Sequence, residues 1–490
     1  MRPALADRNL PPAPLTIKYL EAMLKRKKPF WLAALSYLMF LISLSLPFTR
    51  LIAEEGKQPN IVLIISDDQA WTDYGFMGHP DIQTPNLDRM AKSSVLFRRG
   101  YVPTALCRPS LATLLTGHYA STHGITGNDP SPKRTPPNTE QYNQQRADLI
   151  SKLDQYQTLP SLLAEKGYLS HQSGKLWEGS YENSGFTHGM TRGFPEKGGR
   201  HGDDGLEIGR QGMKPIADFL DFAKDQNKPF FIWYAPFLPH TPHNPPQHLL
   251  AKYQTGDRPT SIAKYYAMCE WFDETCGQLD NLVEERGLSD NTLFIYVTDN
   301  GWIQDPKSRK YAPRSKQSPN EGGIRTPIFF RWPNHLTPQD RPELVSSIDL
   351  VPTILGFAYA DRPNGLPGLN LKANLLQKLP IERSMIFGEG FAHDIADIDS
   401  PEASLLYRWC IAGKWKLLLT YDGEVNRYAS SHPREIKTPQ LFDLLSDPGE
   451  NVNLANQLAE VVMQLSKKIT HWYPLKERKT EPLAKSVVDP

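Results

Sequence analysis

The sequence predicts an α/β fold: a doubly wound, mostly parallel β-sheet flanked by helices, followed by a small C-terminal antiparallel α+β subdomain. Three observations lead to this fold class: short runs that are apolar on both faces, helical patterns between those runs, and short alternating strands near the C-terminus. Strands of a parallel sheet are apolar on both faces because helices cover both sides of the sheet. Strands that alternate with helices are typical of a doubly wound arrangement.

The candidate strands of the sheet are apolar runs that end in polar residues. They are residues 60–65, 229–234 and 293–297. The helical patterns between and after these strands cover residues 159–166, 215–223 and 262–286. Ligands of an open α/β sheet bind at the carboxyl ends of its strands. The polar residues after each run are therefore expected to lie near a functional site.

Three segments are predicted along the chain. Residues 1–57 form an export signal or an N-terminal anchor, residues 58–370 form the main domain, and residues 371–490 form the C-terminal subdomain. Within the main domain, residues 128–154 are polar and contain prolines, which predicts a loop insertion at the rim of the site. The C-terminal subdomain is expected to end in a helix that reaches Trp472.

The first sixty residues carry the pattern of an export signal. Four basic residues, 25–28, precede an apolar run over residues 29–48, and a possible cleavage point follows Ala53. The run is at the lower limit of a membrane-spanning length, so an uncleaved anchor formed by residues 29–48 is the alternative. Both interpretations predict that the body of the protein lies outside the cytoplasm, in the periplasm or in the medium.

The charge balance gives no reason to expect a nucleic-acid partner. The 490 residues include 55 Lys and Arg against 54 Asp and Glu. A chain with this balance carries no global basic field that would attract nucleic acid or an anionic membrane. Its length is sufficient for one large α/β domain with a sizeable core.

Acidic and amide side chains follow two of the predicted strands. Asp67 and Asp68 come directly after the first run, and Asp299 and Asn300 follow the third. Adjacent carboxylates at one strand end repel each other unless a cation lies between them. A single Asp in such a place is more often a turn or cap residue, but two pairs favour a metal site. Carboxylate and amide oxygens suit a hard cation such as Ca²⁺ or Mg²⁺.

A cysteine begins the next predicted helix. Cys107 is followed by Pro109, which suits a first helical turn, by leucines at helical spacing, and by Gly117, which can end the helix. A thiol at a helix N-terminus lies among unpaired N–H groups, where anions are stabilised.

The run from Cys107 to Leu111, with Thr116 and Gly117 after it, resembles the signature of the sulfatase family, Cys-x-Pro-Ser-Arg followed by Thr-Gly. Further segments resemble landmarks of that family in the same order: Asn60–Asp68, Thr84–Asp88, His123-Gly124, Gly174-Lys175, Pro239–Pro242, Glu321–Pro327 and Leu441–Ala455. The resemblance covers nearly everything after residue 58. It implies an alkaline phosphatase-like fold and makes residues 58–370 the catalytic domain.

The resemblance also implies a set of site residues and a maturation partner. In the sulfatase family, a formylglycine-generating enzyme oxidises the cysteine to formylglycine, whose hydrate is the nucleophile. Residue 107 would then join the metal ligands, which are Asp67, Asp68, Asp299 and Asn300, with Ca²⁺ expected and Mg²⁺ as the alternative. Lys175 and Lys316 would neutralise the sulfate oxygens, and His240 would donate a proton to the leaving alcohol. The alternative for each lysine is an ordinary solvated side chain, and for His240 it is the neighbouring His243.

The function implied by the resemblance is that of an exported sulfatase that hydrolyses a sulfate ester of a carbohydrate. The substrate would be a sulfated small molecule or a polysaccharide. One alternative is a phosphoric or phosphonic ester hydrolase of the same fold, which the metal cluster alone would allow. Cys107 speaks against it, because a Ser or Thr nucleophile would be expected there. The other alternative is a catalytically silent protein that binds sulfated glycans through an unmodified Cys107 pocket.

Two positions depart from the family pattern. Leu111 stands where the family has an arginine that contacts formylglycine, and Trp177 stands where many sulfatases have a histidine. Both replacements remove a polar group from one side of the nucleophile. They are compatible with impaired maturation, with a rearranged site that uses Arg108 or His123, or with lost activity.

Overall fold

The computed structural model describes residues 58–421 and 438–475. The predicted export segment, including the possible anchor over residues 29–48, lies outside these ranges. Among these residues, none of the helices combines the length and the apolar composition that a membrane span requires.

The strands are numbered along the chain. They are β1 (Asn60–Ser66), β2 (Val95–Tyr101), β3 (Asp129–Pro130), β4 (Leu169–Gly174), β5 (His188–Gly189), β6 (Phe230–Ala235), β7 (Thr292–Thr298), β8 (Arg325–Arg331), β9 (Gln339–Arg341), β10 (Val345–Ser346), β11 (Met385–Phe391), β12 (Asp394–Ile395), β13 (Leu405–Ala412), β14 (Trp415–Thr420) and β15 (Gln440–Asp443).

The α-helices are numbered in the same way. They are α1 (Pro85–Lys92), α2 (Cys107–Thr116), α3 (Ala120–His123), α4 (Glu140–Ser151), α5 (Leu159–Ala164), α6 (Lys214–Asp225), α7 (Gln247–Tyr253), α8 (Thr260–Glu285), α9 (Glu321–Ile324), α10 (Leu350–Phe357), α11 (Lys372–Leu376) and α12 (Ala459–Trp472).

The central sheet has the strand order β10-β2-β8-β7-β1-β6-β4-β5, and β9 pairs with β2. The strands β7, β1, β6 and β4 run parallel to one another, whereas β8 runs antiparallel to both of its neighbours. The predicted doubly wound, mostly parallel sheet is therefore confirmed. The three apolar runs are β1, β6 and β7, and they lie side by side in the middle of the sheet.

Alternate residues of β1 face two separate apolar cores. Leu63 lies in one core with Leu111 of α2, and Val62 lies in the other with Phe272 of α8. This arrangement explains why the strand is apolar at every position, because both faces of the sheet are covered. The N-terminus of α2 reaches the carboxyl end of β1, where the polar residues begin.

The second sheet is antiparallel, with the order β11-β13-β14-β15. Ile469 of α12 packs on this sheet against Cys410 and Leu417. The predicted C-terminal antiparallel sheet and its helix are thus present. The boundary near residue 370 stays a prediction.

Residues 128–154, predicted as a loop insertion, contain regular structure instead. They include β3, which pairs with β12, and the whole of α4. The Thr139 side chain caps α4 by accepting a hydrogen bond from the Tyr142 N–H at 3.2 Å. The helix buries Leu149, Ile150 and the charged Arg146. A buried arginine weakens the apolar pattern, which is why the sequence indicated a loop.

Candidate active site

The polar residues after β1 and β7 meet at one edge of the sheet. The Asp68 N–H donates to Asp299 Oδ1 at 3.1 Å, and the Asn300 amide donates to Asp68 Oδ1 at 2.6 Å. Asp68 has a positive φ of 60°, which is uncommon for a residue with a side chain. All four side chains, including that of Asp67, are almost fully buried. Parallel neighbours end at the same edge, and their side chains converge there.

Cys107 completes this cluster from the first turn of α2. Its Sγ lies 4.0 Å from one oxygen of Asp67 and 4.0 Å from one oxygen of Asp68. Asp67, Asp68, Cys107 and His240 each offer a ligand atom, and these atoms lie within 4.8 Å of one another. Of the predicted metal ligands, Asp67 and Asp68 therefore lie around the thiol, and Asp299 and Asn300 are hydrogen-bonded to Asp68.

Both predicted lysines are buried in this cluster. The Lys175 ammonium donates to Asp67 Oδ1 at 2.8 Å, and the Lys316 ammonium donates to both oxygens of Asp68 at 2.7 Å. Lys316 Nζ also lies 3.2 Å from Cys107 Sγ. The relative exposures are 1% for Lys175 and 6% for Lys316. These values exclude ordinary solvated side chains at either position.

His240 is the histidine that contacts the cluster. Its Nε2 lies 3.3 Å from Asp68 Oδ2, and its Nδ1 donates to the Thr241 carbonyl at 2.5 Å. Burial, followed by the charges of Lys175 and Lys316, lowers the pKa of His240 well below its usual value. The ring of His243 instead packs against Tyr265, with the two centroids 5.4 Å apart.

The charges of the cluster fit a bound cation. The carboxylates of Asp67, Asp68 and Asp299 face two ammonium groups, so one negative charge is in excess. Burial raises the pKa of Asp67 and of Asp299 despite the attraction of Lys175. Asp299 Oδ2 and Asn300 Oδ1 are buried and accept no hydrogen bond from any described residue. Carboxylate and amide oxygens that accept no hydrogen bond are the ligands that Ca²⁺ and Mg²⁺ prefer.

The thiol of Cys107 is not activated by its surroundings. Burial raises its pKa to about 12, although Lys175 and Lys316 act in the opposite direction. The thiolate is the nucleophilic form of cysteine. An unmodified Cys107 is therefore a neutral thiol at physiological pH and a poor nucleophile.

The two departures are both buried apolar side chains, with exposures of 2% for Leu111 and 3% for Trp177. Leu111 and Trp177 belong to the same buried core. Arg108 does not replace the missing arginine, because its Nε and Nη2 bind Glu178 at 2.8 and 2.7 Å. His123 accepts from the Ile125 N–H at 3.1 Å. No hydrogen bond joins Arg108 or His123 to Cys107 in the part of the chain that the structure describes.

Two rings beside the cluster were not predicted. Phe237 stacks on His240 with the centroids 4.3 Å apart, and the His201 ring lies 5.3 Å from Phe237. The Lys175 ammonium lies 5.5 Å from the centre of the Phe237 ring. Phe237 lies in the Pro-rich segment that predicted His240, but a single phenylalanine carries no motif. His201 lies in a glycine-rich stretch without any periodic pattern.

Comparison with known proteins identifies the family. The model of the sulfatase family matches residues 59–360, which is more than half of the chain.

The chain belongs to the sulfatase family.

This sulfatase is 29% identical to arylsulfatase A of Bos taurus over 468 residues, covering 83% of this chain and 85% of that protein. It is also 29% identical to N-acetylgalactosamine-6-sulfatase of Homo sapiens over 457 residues, covering 84% of each chain. The predicted family and enzyme class, a sulfuric ester hydrolase, are confirmed.

Solved structures show the same fold. One is a protein in complex with its substrate D-glucosamine-2-N,6-O-disulfate, with a TM-score of 0.64, 21% identity and coverage of 85% of this chain and 98% of that chain. Another is the phosphonate monoester hydrolase of Agrobacterium radiobacter, with a TM-score of 0.61, 18% identity and coverage of 84% and 95%. These likenesses confirm the predicted alkaline phosphatase-like fold.

Proposed function

We propose that this sulfatase hydrolyses sulfate esters of carbohydrates with a formylglycine made from Cys107 and a bound Ca²⁺. The observation that carries the proposal is the convergence of three carboxylates, an amide and two buried lysines on Cys107 at the strand ends. The neutral thiol supports a modified residue 107, because burial raises the pKa of the cysteine to about 12 and leaves it a poor nucleophile.

The residues that would hold the cation are Asp67, Asp68, Asp299, Asn300 and residue 107. The excess negative charge supports this assignment, as do the buried oxygens of Asp299 and Asn300 that accept no hydrogen bond from the described residues. Ca²⁺ suits it better than Mg²⁺, because Mg²⁺ usually keeps several waters and these ligands are supplied by the protein. When bound, the cation supplies Lewis-acid polarisation and the formylglycine hydrate supplies a nucleophilic hydroxyl.

The remaining roles belong to side chains around residue 107. Lys175 and Lys316 would neutralise the oxygens of the sulfate group, whose charge develops further as the ester bond breaks. His240 would donate a proton to the leaving alcohol. A bound sulfate ester adds negative charge beside the ring and so favours the protonated imidazole that this step requires.

A sulfated carbohydrate is the substrate class that the relatives support. One curated relative is an N-acetylgalactosamine-6-sulfatase, and one structural neighbour binds a disulfated glucosamine. The proposal includes export from the cytoplasm, to the periplasm or the medium, and maturation by a formylglycine-generating enzyme.

One observation favours a second candidate function. Leu111 is apolar and buried where the resemblance places an arginine that contacts the nucleophile, and Arg108 is paired with Glu178 instead. If residue 107 stays a cysteine for this reason, the buried lysines and the metal site would leave a protein that binds sulfated glycans without hydrolysing them.

The test is metal content and turnover measured on the same preparations. The full chain, co-expressed with a formylglycine-generating enzyme, should hydrolyse 4-nitrophenyl sulfate, and Asp68→Ala should lose bound Ca²⁺ and turnover together. Asp273→Asn is the control, because Asp273 is also a buried carboxylate but binds Asn86 and Leu87 instead. An Asp68→Ala protein that keeps both Ca²⁺ and turnover would contradict the proposed site.

A further inference from the structure

Partly exposed rings lead away from the sulfate-binding residues towards the surface. His240 stacks on Phe237, and Phe237 contacts His201, with centroid separations of 4.3 and 5.3 Å. All three residues are partly exposed, whereas the Lys175 ammonium below them is buried. The accessible surface above Lys175 is therefore largely aromatic, with the Arg210 guanidinium 5.7 Å from the centre of the Phe237 ring. A leaving group bound to the sulfate would lie along this surface.

The ring of His201 is uncharged. Burial, followed by the charges of Lys175 and Arg200, lowers its pKa to about 3. Trp177 supports it from the interior, with the two ring centroids 5.1 Å apart. Uncharged rings at the mouth of a pocket suit the apolar face of a sugar, because such surfaces exclude water without requiring a charged partner.

A partly exposed arginine lies near His201, whose pKa its charge helps to lower. The Arg200 guanidinium stacks on Trp177 at 4.7 Å from the ring centre, and its side chain is 46% exposed. Arg200 also precedes His201 directly in the chain. A group attached to a sugar on His201 and Phe237 would thus be next to a partly exposed cation.

The charge of Arg200 is only partly neutralised. Its Nε donates to Asp129 Oδ2 at 3.0 Å, and the same carboxylate also accepts from Arg146. Among the described residues, neither arginine hydrogen-bonds another carboxylate. Two guanidinium groups thus share one negative charge. Arg146 is buried, with a side-chain exposure of 4%, so the excess positive charge is accessible at Arg200.

We propose that Phe237, His201 and Arg200 form a subsite for the leaving group. The subsite takes a sugar sulfate that carries a second anionic group, which is a carboxylate or another sulfate. The sugar packs on the two rings, and its second anion pairs with Arg200. This inference rests on the proposed function, because it places the sulfate ester at residue 107.

The test compares the binding of monosulfated sugars with that of disulfated counterparts. The Cys107→Ala protein, which cannot turn over, is titrated by calorimetry with N-acetylgalactosamine 6-sulfate and with N-acetylgalactosamine 4,6-disulfate. A second pair is N-acetylglucosamine 6-sulfate and glucosamine 2-N,6-O-disulfate. In at least one pair, we expect about tenfold tighter binding of the disulfated sugar, as for one charge-assisted hydrogen bond. Arg200→Gln in this background should abolish that preference.

Arg192→Gln is the matched control. Arg192 lies in the same stretch of chain, is 55% exposed in its side chain and also pairs with an aspartate, Asp204. It should leave the preference intact. Phe237→Ala should weaken the binding of both sugars of a pair while leaving their ratio unchanged.

Three outcomes would overturn the inference: equal affinities within both pairs, a preference that survives Arg200→Gln, or no binding of any disulfated sugar. Turnover of 4-nitrophenyl sulfate by the protein with Cys107 intact tests the proposed function separately. If that turnover is present and the preference is absent, only the subsite is wrong. If turnover is absent, the proposed function fails whatever the sugars do.

Discussion

Each charged side chain of the site is held by a partner of opposite sign. The Lys175 ammonium forms an ion pair with the Asp67 carboxylate, and the Lys316 ammonium forms one with the Asp68 carboxylate. The loss of one member of such a buried pair leaves an uncompensated charge, which is strongly destabilising. A bound cation would take over the compensation of the carboxylates. The lysines therefore contribute to the stability of the metal-free protein as well as to the binding of sulfate.

Lys316→Ala should make stability depend on Ca²⁺. Without the cation, the free energy of unfolding should fall by about 3 kcal/mol, because Asp68 loses its charged partner. Saturating Ca²⁺ should restore most of that loss, while turnover stays low because sulfate loses a ligand. Urea unfolding with and without Ca²⁺ measures the difference. Lys214→Ala is the control, since the side chains of Lys214 and its partner Asp218 are 81% and 63% exposed. An equal loss with and without Ca²⁺ would argue against a metal at Asp68.

The residue types of the site were predictable from the sequence, but their burial was not. Strand ends and motif order indicated Asp67, Asp68 and Lys316. The pairing of Lys316 with Asp68 joins positions 248 residues apart, and no local pattern carries that information. His201 and Phe237 were missed for the same reason, because they become neighbours only in the folded chain.

At the scale of elements, the helix that carries Cys107 is apolar along the side that includes Leu111. Leu111 is 2% exposed and shares its core with Trp177. The N-terminus of the helix stabilises anions by itself. The apolar side of the helix contributes no cationic side chain to this effect. Both departures from the family pattern are therefore accommodated in the packed core, and Leu111, one turn after Cys107 on the same face of the helix, offers residue 107 no polar group.

Leu111→Arg should raise the fraction of residue 107 that is converted to the aldehyde during co-expression with a formylglycine-generating enzyme. It should also lower the free energy of unfolding by about 1–3 kcal/mol, because a polar group enters a packed core. Adding Trp177→His should reduce that cost by making room for the longer side chain. Peptide mass spectrometry and urea unfolding measure the two effects.

Leu111→Met is the control for this variant. Because it conserves volume and polarity, it should change stability by less than about 1.5 kcal/mol and leave the aldehyde fraction unchanged. Complete conversion in the unaltered protein, with ordinary turnover of a sulfate ester, would show that the apolar side does not limit maturation.

The elements of the sheet were predictable because their patterns are strong. The runs that form β1, β6 and β7 are almost continuously apolar and are buried along their whole length. A strand has this pattern when both faces of its sheet are covered. Helix α4 was missed because its buried face includes Arg146, whose partner Asp129 lies in another element. A charged residue that is buried by long-range pairing conceals the helical period.

At the scale of the whole molecule, a buried ion-pair network joins the C-terminal sheet to the catalytic side. Lys416 of β14 is fully buried and lies 3.0 Å from Glu321 Oε1 and 2.8 Å from Glu450 Oε1. Tyr101 of β2 donates to Glu321 at 3.0 Å. Glu321 follows Lys316 by five residues, so the C-terminal sheet supports the segment that presents this lysine.

Lys416→Met should lower the free energy of unfolding by about 3–5 kcal/mol, because two buried carboxylates lose their shared cation. Lys414→Met in the same hairpin should cost less than about 1 kcal/mol, because Lys414 is 45% exposed in its side chain and pairs with Asp443 near the surface. Urea unfolding of both variants makes the comparison. Equal effects would show that the network does not hold the two sheets together.

The central claim is that residue 107 becomes a formylglycine and serves as the nucleophile of a sulfatase. Mass spectrometry of the peptide that contains residue 107, taken from a preparation that hydrolyses 4-nitrophenyl sulfate, tests this claim most directly. We expect the aldehyde at residue 107, with turnover that rises in proportion to the aldehyde fraction across preparations. Hydrolysis by a preparation in which residue 107 is entirely cysteine would contradict the claim.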